Sequence, residues 1–300
     1  MDAPAVLIIG AGGYLGGPIW KELLHQKSHF SRVAILADES KVDKFSEAKA
    51  SGVEIIVGSF TDPASFKGFN TVLSLLGNHA MKYQPAIIDA CIKAGVTDFY
   101  PSEYGSDISQ GDYLTNRYFR DKHVTRQHLR STVTLIPSFN YTLIMVGGFV
   151  EFALMPFFGT DTENKTFTFY GPSEKAEPLT AVADVARYVV ESISLPKSPT
   201  QEREFRVPGG LYKWGDFIDE VEKVQGVKYT REFLPRQEAL DKARECEGKG
   251  DVDGELLFSL KAIMGDPEAQ GVPQPWDNAK FGFEPERLGK TLERIFAGRK

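Results

Sequence analysis

Five apolar residues, Ala5, Val6, Leu7, Ile8 and Ile9, lead directly into Gly10-x-Gly12-Gly13-x-x-Gly16. No other feature of the chain restricts its fold as strongly. A short apolar run rich in branched residues, without alternation, fits a strand buried on both faces of a parallel sheet. Glycines at these spacings, between a strand and a helix, make a tight turn whose main chain can approach a pyrophosphate. The last glycine lets the helix pack close to the sheet. A helix start adds unpaired N–H donors and partial positive charge. Pro18 is compatible with a first helical turn. Gly10, Gly12, Gly13, Tyr14, Leu15 and Gly16 are therefore candidate dinucleotide-binding residues. The alternative is a glycine turn that binds nothing.

Similar apolar runs recur at 32–36, 53–57, 71–76 and 98–100, separated by helical patterns at 14–25, 39–50 and 81–94. This rhythm predicts βαβ units and an α/β fold with a doubly wound parallel sheet, of the Rossmann type. A sixth strand comes from 132–136 or 141–146, the second being preferred. Beyond residue 160 the pattern changes. It predicts a strand at 166–170, a helix at 179–195, a strand at 204–207, and helices at 214–224, 236–246, 255–264 and 284–296. Residues 265–276, with Pro267, Pro273 and Pro275, read as a loop. The expected organisation is a dinucleotide-binding domain over 1–155, rejoined by 179–207, and a smaller α+β substrate lobe over 156–300.

The formal net charge of −6 argues against general nucleic-acid binding, which needs a basic footprint. Two cysteines, Cys91 and Cys246, exclude a disulfide framework and a thiolate metal cluster, and no histidine spacing suggests a metal. No apolar run reaches the length of a membrane span. Met1-Asp2-Ala3-Pro4 lacks the basic start of a secretory leader. The expectation is a cytoplasmic monomer or homodimer acting on a small molecule, with no nucleic-acid or membrane partner.

Other positions carry possible chemistry. Asp38 lies 22 residues past Gly16, near the distance at which a carboxylate reads the ribose 2′-hydroxyl of NAD. It is equally suited to cap the next helix. Lys41 and Lys44 offer the opposite preference, for a 2′-phosphate. Gly77 and Asn78 follow the fourth strand, where they either meet the cofactor or form a plain turn with an Asn cap. Ser102 and Tyr104 follow the fifth, where open sheets bind ligands. Glu103 caps or pairs. Tyr118 and Lys122 share one helical face if the segment is a helix. A lysine can lower the pKa of a phenol that protonates a carbonyl; the alternative is a solvated face, since Arg117, Arg120, Asp121 and Arg126 lie nearby. Phe149, Phe152, Phe157 and Phe158 are core residues or walls for an apolar substrate. Trp214 and Trp276 read as core.

Three segments together resemble the NmrA-like, isoflavone-reductase-like branch of atypical short-chain dehydrogenases. They are Gly10 to Gly16, Phe99-Tyr100-Pro101-Ser102-Glu103-Tyr104-Gly105, and Lys122 to Leu129 followed by Tyr141-Thr142 and Gly147-Gly148-Phe149. The resemblance implies NADPH beside a small substrate lobe, with Lys122 catalytic and Gly147 near the nicotinamide. It also implies reduction of aromatic secondary metabolites, though some members bind the dinucleotide as sensors. Two features depart from the branch. Asp38 stands where a basic residue is usual, which leaves NAD open. The span from Leu129 to Thr142 is longer than in the branch. Tyr118 is outside the usual pattern.

The leading expectation is an NAD(P)H-dependent reductase of a small aromatic or apolar metabolite. The alternatives are a non-catalytic dinucleotide sensor, and a redox-neutral isomerase or cyclase that retains its cofactor.

Overall fold

The computed structural model describes residues 3–298. Met1 and Asp2, on which the expectation about a leader partly rests, lie outside the described residues. The chain forms two compact units and passes between them repeatedly. The first comprises residues up to Tyr104, Asp121–Ile144 and Val185–Phe205. The second comprises Gly105–Arg120, Met145–Asp184 and the chain from Arg206 onward. Residues 105–120 thus leave the first unit, an excursion that the strand and helix rhythm does not announce.

The first unit is built on β1 (Ala5–Ile9), β2 (Arg32–Ala37), β3 (Glu54–Val57), β4 (Thr71–Ser74), β5 (Asp98–Tyr100) and β6 (Asn140–Met145). With Glu202–Arg206 at one edge, they form a seven-stranded parallel sheet. Its order from the other edge is β3-β2-β1-β4-β5-β6. β1 is buried along its whole length, as a central parallel strand requires. Ile9 pairs with Leu36 on one side and Ser74 on the other, and Leu73 pairs with Tyr100. The segments that follow β1, β2, β4 and β5 therefore start at one level of the sheet edge. The order turns back at β1 and β4, which is where open α/β sheets leave a crevice.

The first helix, α1 (Gly16–His25), buries Gly16, Ile19, Trp20 and Leu23 at helical spacing. Thr132–Ile136 is not a strand. Most of it ends the helix Arg120–Leu135, and β6 supplies the sixth strand. The pattern at 39–50 is a 3-10 segment, Glu39–Phe45, followed by the short helix Ser46–Ala50. Asp38 starts it, and its side-chain acceptor favours a tight turn over a regular helix.

In the second unit, Ala176–Thr180 runs parallel to Gly148–Phe149 and antiparallel to Gly210–Lys213. Thr166–Tyr170 runs parallel to Thr230–Leu234 and antiparallel to Thr160–Asp161. The helix expected from 179 starts at Val182, because 176–180 is extended and paired. Trp214 is 1% exposed at the centre of the core, 4.6 Å from the Phe169 ring and 5.5 Å from Phe217. Among the described residues no helix is long and apolar enough to cross a membrane.

Candidate functional site

The glycine turn is wedged between main chains. Gly10 has φ +76°, and a Cβ there would lie 2.8 Å from the carbonyl of Leu75. A Cβ on Gly16 would come within 1.7 Å of the Ala11 carbonyl oxygen. Both positions exclude any larger residue. Gly12 and Gly13 differ. Their nearest neighbours would be a Phe45 ring atom at 3.9 Å and the Gly10 oxygen at 3.6 Å, both ordinary contacts. Packing does not require glycine at either place, and what its absence of side chains leaves is uncovered main chain. Gly13 N–H donates to Gly10 and Gly16 N–H to Gly13, each at 3.2 Å, so the turn is ordered. α1 has no side-chain cap and no acidic residue in its first turn. Its electropositive end carries no anion of its own. Tyr14 is 51% exposed, whereas Leu15 is buried and can offer a ligand only its backbone.

From this turn a chain of contacts runs through the first unit. Gly10 abuts Leu75 and Leu76. The Ser102 hydroxyl donates to the Leu76 carbonyl at 2.7 Å, and Ser102 N–H donates to Gln84 Oε1 at 2.9 Å. Next to Ser102, the Glu103 carboxylate receives Arg126 Nε at 3.0 Å and a second guanidinium nitrogen at 2.9 Å. The Glu103 carbonyl accepts from Lys122 Nζ at 3.2 Å. Glu103, Arg126 and Lys122 are all buried. Burial pushes the Lys122 ammonium below the usual lysine range, and Arg126 adds to this while Glu103 opposes it.

The helix Arg120–Leu135 turns Lys122, Thr125, Arg126, Leu129 and Thr132 inward. Lys122, Thr125, Arg126 and Leu129 follow i, i+3, i+4, i+7, so the face is legible if charge is allowed inside. Arg126, Gln84 and Thr125 were not singled out from sequence. Gln84 Nε2 donates to Thr125 at 3.3 Å, which ties the loop clamp to this helix.

Several expected roles change. Ser102 donates its hydroxyl to Leu76, so it holds the turn after β4 against the loop after β5. Tyr104 is 8% exposed with its phenol oxygen enclosed. Burial, with Tyr100 and Glu103, raises its pKa. Gly77, not Asn78, is the N-cap of the short helix Asn78–Met81. Gly77 is exposed and Asn78 half-buried. His79 is exposed, and His128 pairs with Asp89 at 2.8 Å.

At the end of β2, Asp38 is exposed and caps its turn. Oδ1 accepts from Ser40 N–H at 3.0 Å and from the Ser40 hydroxyl. These bonds, with Lys41, hold the carboxyl below the usual range. Lys41 and Lys44 are exposed.

Tyr118, Gly147, Phe149 and Phe152 belong to the second unit. Tyr118 lies in the 3-10 segment Arg117–Phe119, whose start is fixed by Asn116 accepting from Tyr118 N–H at 3.0 Å. The segment runs directly into the α-helix that carries Lys122, so Tyr118 precedes that helix instead of lying within it. Gly147 has φ +74°, and a Cβ would lie 2.1 Å from the Pro178 oxygen, which is reason enough for glycine there. Phe149, Phe152, Phe157 and Phe158 form a series of edge contacts with centroids 5.0, 6.0 and 5.9 Å apart. Trp276 is half-buried and donates to the Val272 carbonyl at 2.9 Å.

The sheet order and the turn at its reversal point define a Rossmann-type α/β protein. The model of the NmrA-like family matches residues 3–252, and the chain belongs to that family. It is 27% identical over 252 residues to the oxidoreductase aprR of Aspergillus flavus, covering 83% of each chain. It is 24% identical over 272 residues to the bifunctional pinoresinol-lariciresinol reductase of Forsythia intermedia, covering 82% of this chain and 84% of that one. By this kinship it is an oxidoreductase. Its fold is that of the solved leucoanthocyanidin reductase–NADPH complex from Vitis vinifera. The TM-score is 0.76, at 19% identity, over 98% of this chain and 99% of that one.

Proposed function

We propose that the chain is an NAD(P)H-dependent reductase of a small aromatic or apolar molecule, with Lys122 as its catalytic proton donor. One observation carries the reading. Unbroken contacts lead from Gly10 through Leu75, Leu76, Ser102 and Glu103 to the Lys122 ammonium. The glycine turn fits a pyrophosphate. Gly12 and Gly13 leave main chain uncovered, and α1 brings donors without a competing carboxylate. Bound there, NAD(P)H supplies a hydride, that is, two electrons and one proton's worth of hydrogen.

Lys122 supplies the balancing proton. Hydride addition to an electrophilic carbon leaves negative charge on a substrate oxygen or conjugated carbon. Lys122 Nζ gives that atom a proton, directly or through water, and is reprotonated from solvent. A buried ammonium releases its proton more readily than an exposed one. The Glu103 carbonyl aims the ammonium, and Arg126 fixes Glu103. Phenylalanines such as Phe149 and Phe152 are the residue type that would receive an aromatic or apolar substrate. The relatives' names, isoflavone reductase homolog and pinoresinol-lariciresinol reductase, favour the same class.

The test is turnover of a panel of aromatic enones, quinones and benzylic ethers, followed by cofactor absorbance. Consumption matched to reduced product supports the reading. Binding with no consumption would make the chain a sensor. Product without net cofactor change would make it redox-neutral.

A further inference from the structure

The end of β2 is where a dinucleotide fold reads the adenosine ribose. A carboxylate there accepts from the 2′-hydroxyl of NAD and repels the 2′-phosphate of NADP. Asp38 occupies this place, one residue beyond β2. Its carboxylate does not swing freely, because Oδ1 is held by the Ser40 N–H and the Ser40 hydroxyl. Both Ser40 donors are thus engaged by the protein's own anion.

The Asp38 turn also lies against the glycine turn. A Cβ on Gly12 would sit 3.9 Å from the ring of Phe45, at the far end of the same 3-10 segment. Because β2 pairs with β1, with Leu36 opposite Ile9, Asp38 and the glycine turn start from the same edge of the sheet. Lys41 and Lys44 flank the carboxylate on exposed, flexible stems, and the charge acting with Lys41 here is Asp38 itself. Ammonium groups so placed can soften the repulsion but lack the bidentate fork that an Arg offers a phosphate.

We infer that Asp38 makes this chain select NADH over NADPH, unlike the NADPH-bound structures whose fold it shares. The inference rests on the glycine turn being a dinucleotide site, as proposed above.

The experiment is a parallel titration of the full chain with NADH and NADPH, followed by nucleotide fluorescence. NADH is expected to bind more tightly by on the order of tenfold or more, since one fixed negative charge faces a phosphate of nearly two. Asp38→Asn keeps an acceptor for Ser40 and removes the charge, so it should strengthen NADPH binding and shrink the ratio. Asp38→Arg should reverse it. Wild-type preference for NADPH, or a ratio unmoved by Asp38→Asn, would overturn the assignment to Asp38 and leave the dinucleotide site standing. Binding of neither nucleotide would overturn both.

Discussion

Lys122 Nζ and the carbonyl oxygen of Glu103 lie 3.2 Å apart inside the first unit, and the bond orients a charged group that has little access to water. The carbonyl fixes direction without neutralising charge, so the ammonium stays available as an acid. Lys122→Met should keep the apolar stem, retain nucleotide binding within a few-fold, and lower turnover by roughly 10²–10⁴-fold. The pH profile adds a sign. If Lys122 is the proton donor proposed above, it works as its protonated form, and kcat should fall as pH rises through its folded pKa. Burial places that midpoint below lysine's ordinary 10.5. Stopped turnover with intact nucleotide titration supports the role; unchanged turnover removes Lys122 from the chemistry.

The glycines make different predictions from one another. Gly16→Ala forces a Cβ to within 1.7 Å of the Ala11 oxygen, so α1 must shift off the sheet. Loss of stability by more than about 2 kcal/mol is expected, since overpacking commonly costs 1–3 kcal/mol and here the obstacle is backbone. Gly12→Ala meets nothing closer than 3.9 Å and should melt like the wild type. If the uncovered main chain at Gly12 serves a pyrophosphate, this second variant should still lose nucleotide affinity. Melting curves and titrations on the pair separate a glycine needed for packing from one needed for binding.

The loop clamp should be unequal in its two halves. Ser102→Ala leaves the Leu76 carbonyl without its donor, at a cost of about 1–3 kcal/mol. Arg126→Met strands the Glu103 carboxylate, which is 1% exposed, and should cost about 3–5 kcal/mol. Denaturant unfolding that gave the reverse order would overturn this ranking of the two bonds.

These contacts also mark what a sequence can and cannot disclose here. Central parallel strands are apolar on both faces, so β1, β2 and β4 stand out as runs, and the turn after β1 is legible from its glycines alone. Lys122 was visible as a candidate. Its surroundings were not, because Ser102 meets Leu76 across 26 residues and Arg126 meets Glu103 across 23. A charged side chain turned inward also looks like a solvated one until its partner is known. Tyr118 differs for a local reason. Asn116 caps a 3-10 segment, so Tyr118 comes just ahead of the helix that carries Lys122. Asp38 reads equally as a cap and as a ribose reader, and the structure shows the cap.

The second unit has its own acid-sensitive point. Glu222 is 4% exposed and accepts from Lys228 Nζ at 2.6 Å, Tyr229 N–H at 2.9 Å and Arg231 Nε at 3.0 Å. Burial alone would raise its pKa, but these three donors overcome that and hold it at about 2, against an ordinary 4.5. Above pH 4.5 the carboxylate is ionised whether the chain is folded or not, and its stabilisation is complete. As pH falls from 4.5 towards 2, the unfolded chain takes up a proton that the folded chain refuses, so stability declines through that window. Glu222→Gln keeps the shape but weakens the bonds to both cations. The variant should melt several degrees below the wild type near neutral pH, and the gap should close on acidification through the same window. A gap that stayed constant across it would place the acid sensitivity elsewhere, among the other buried carboxylates of this unit.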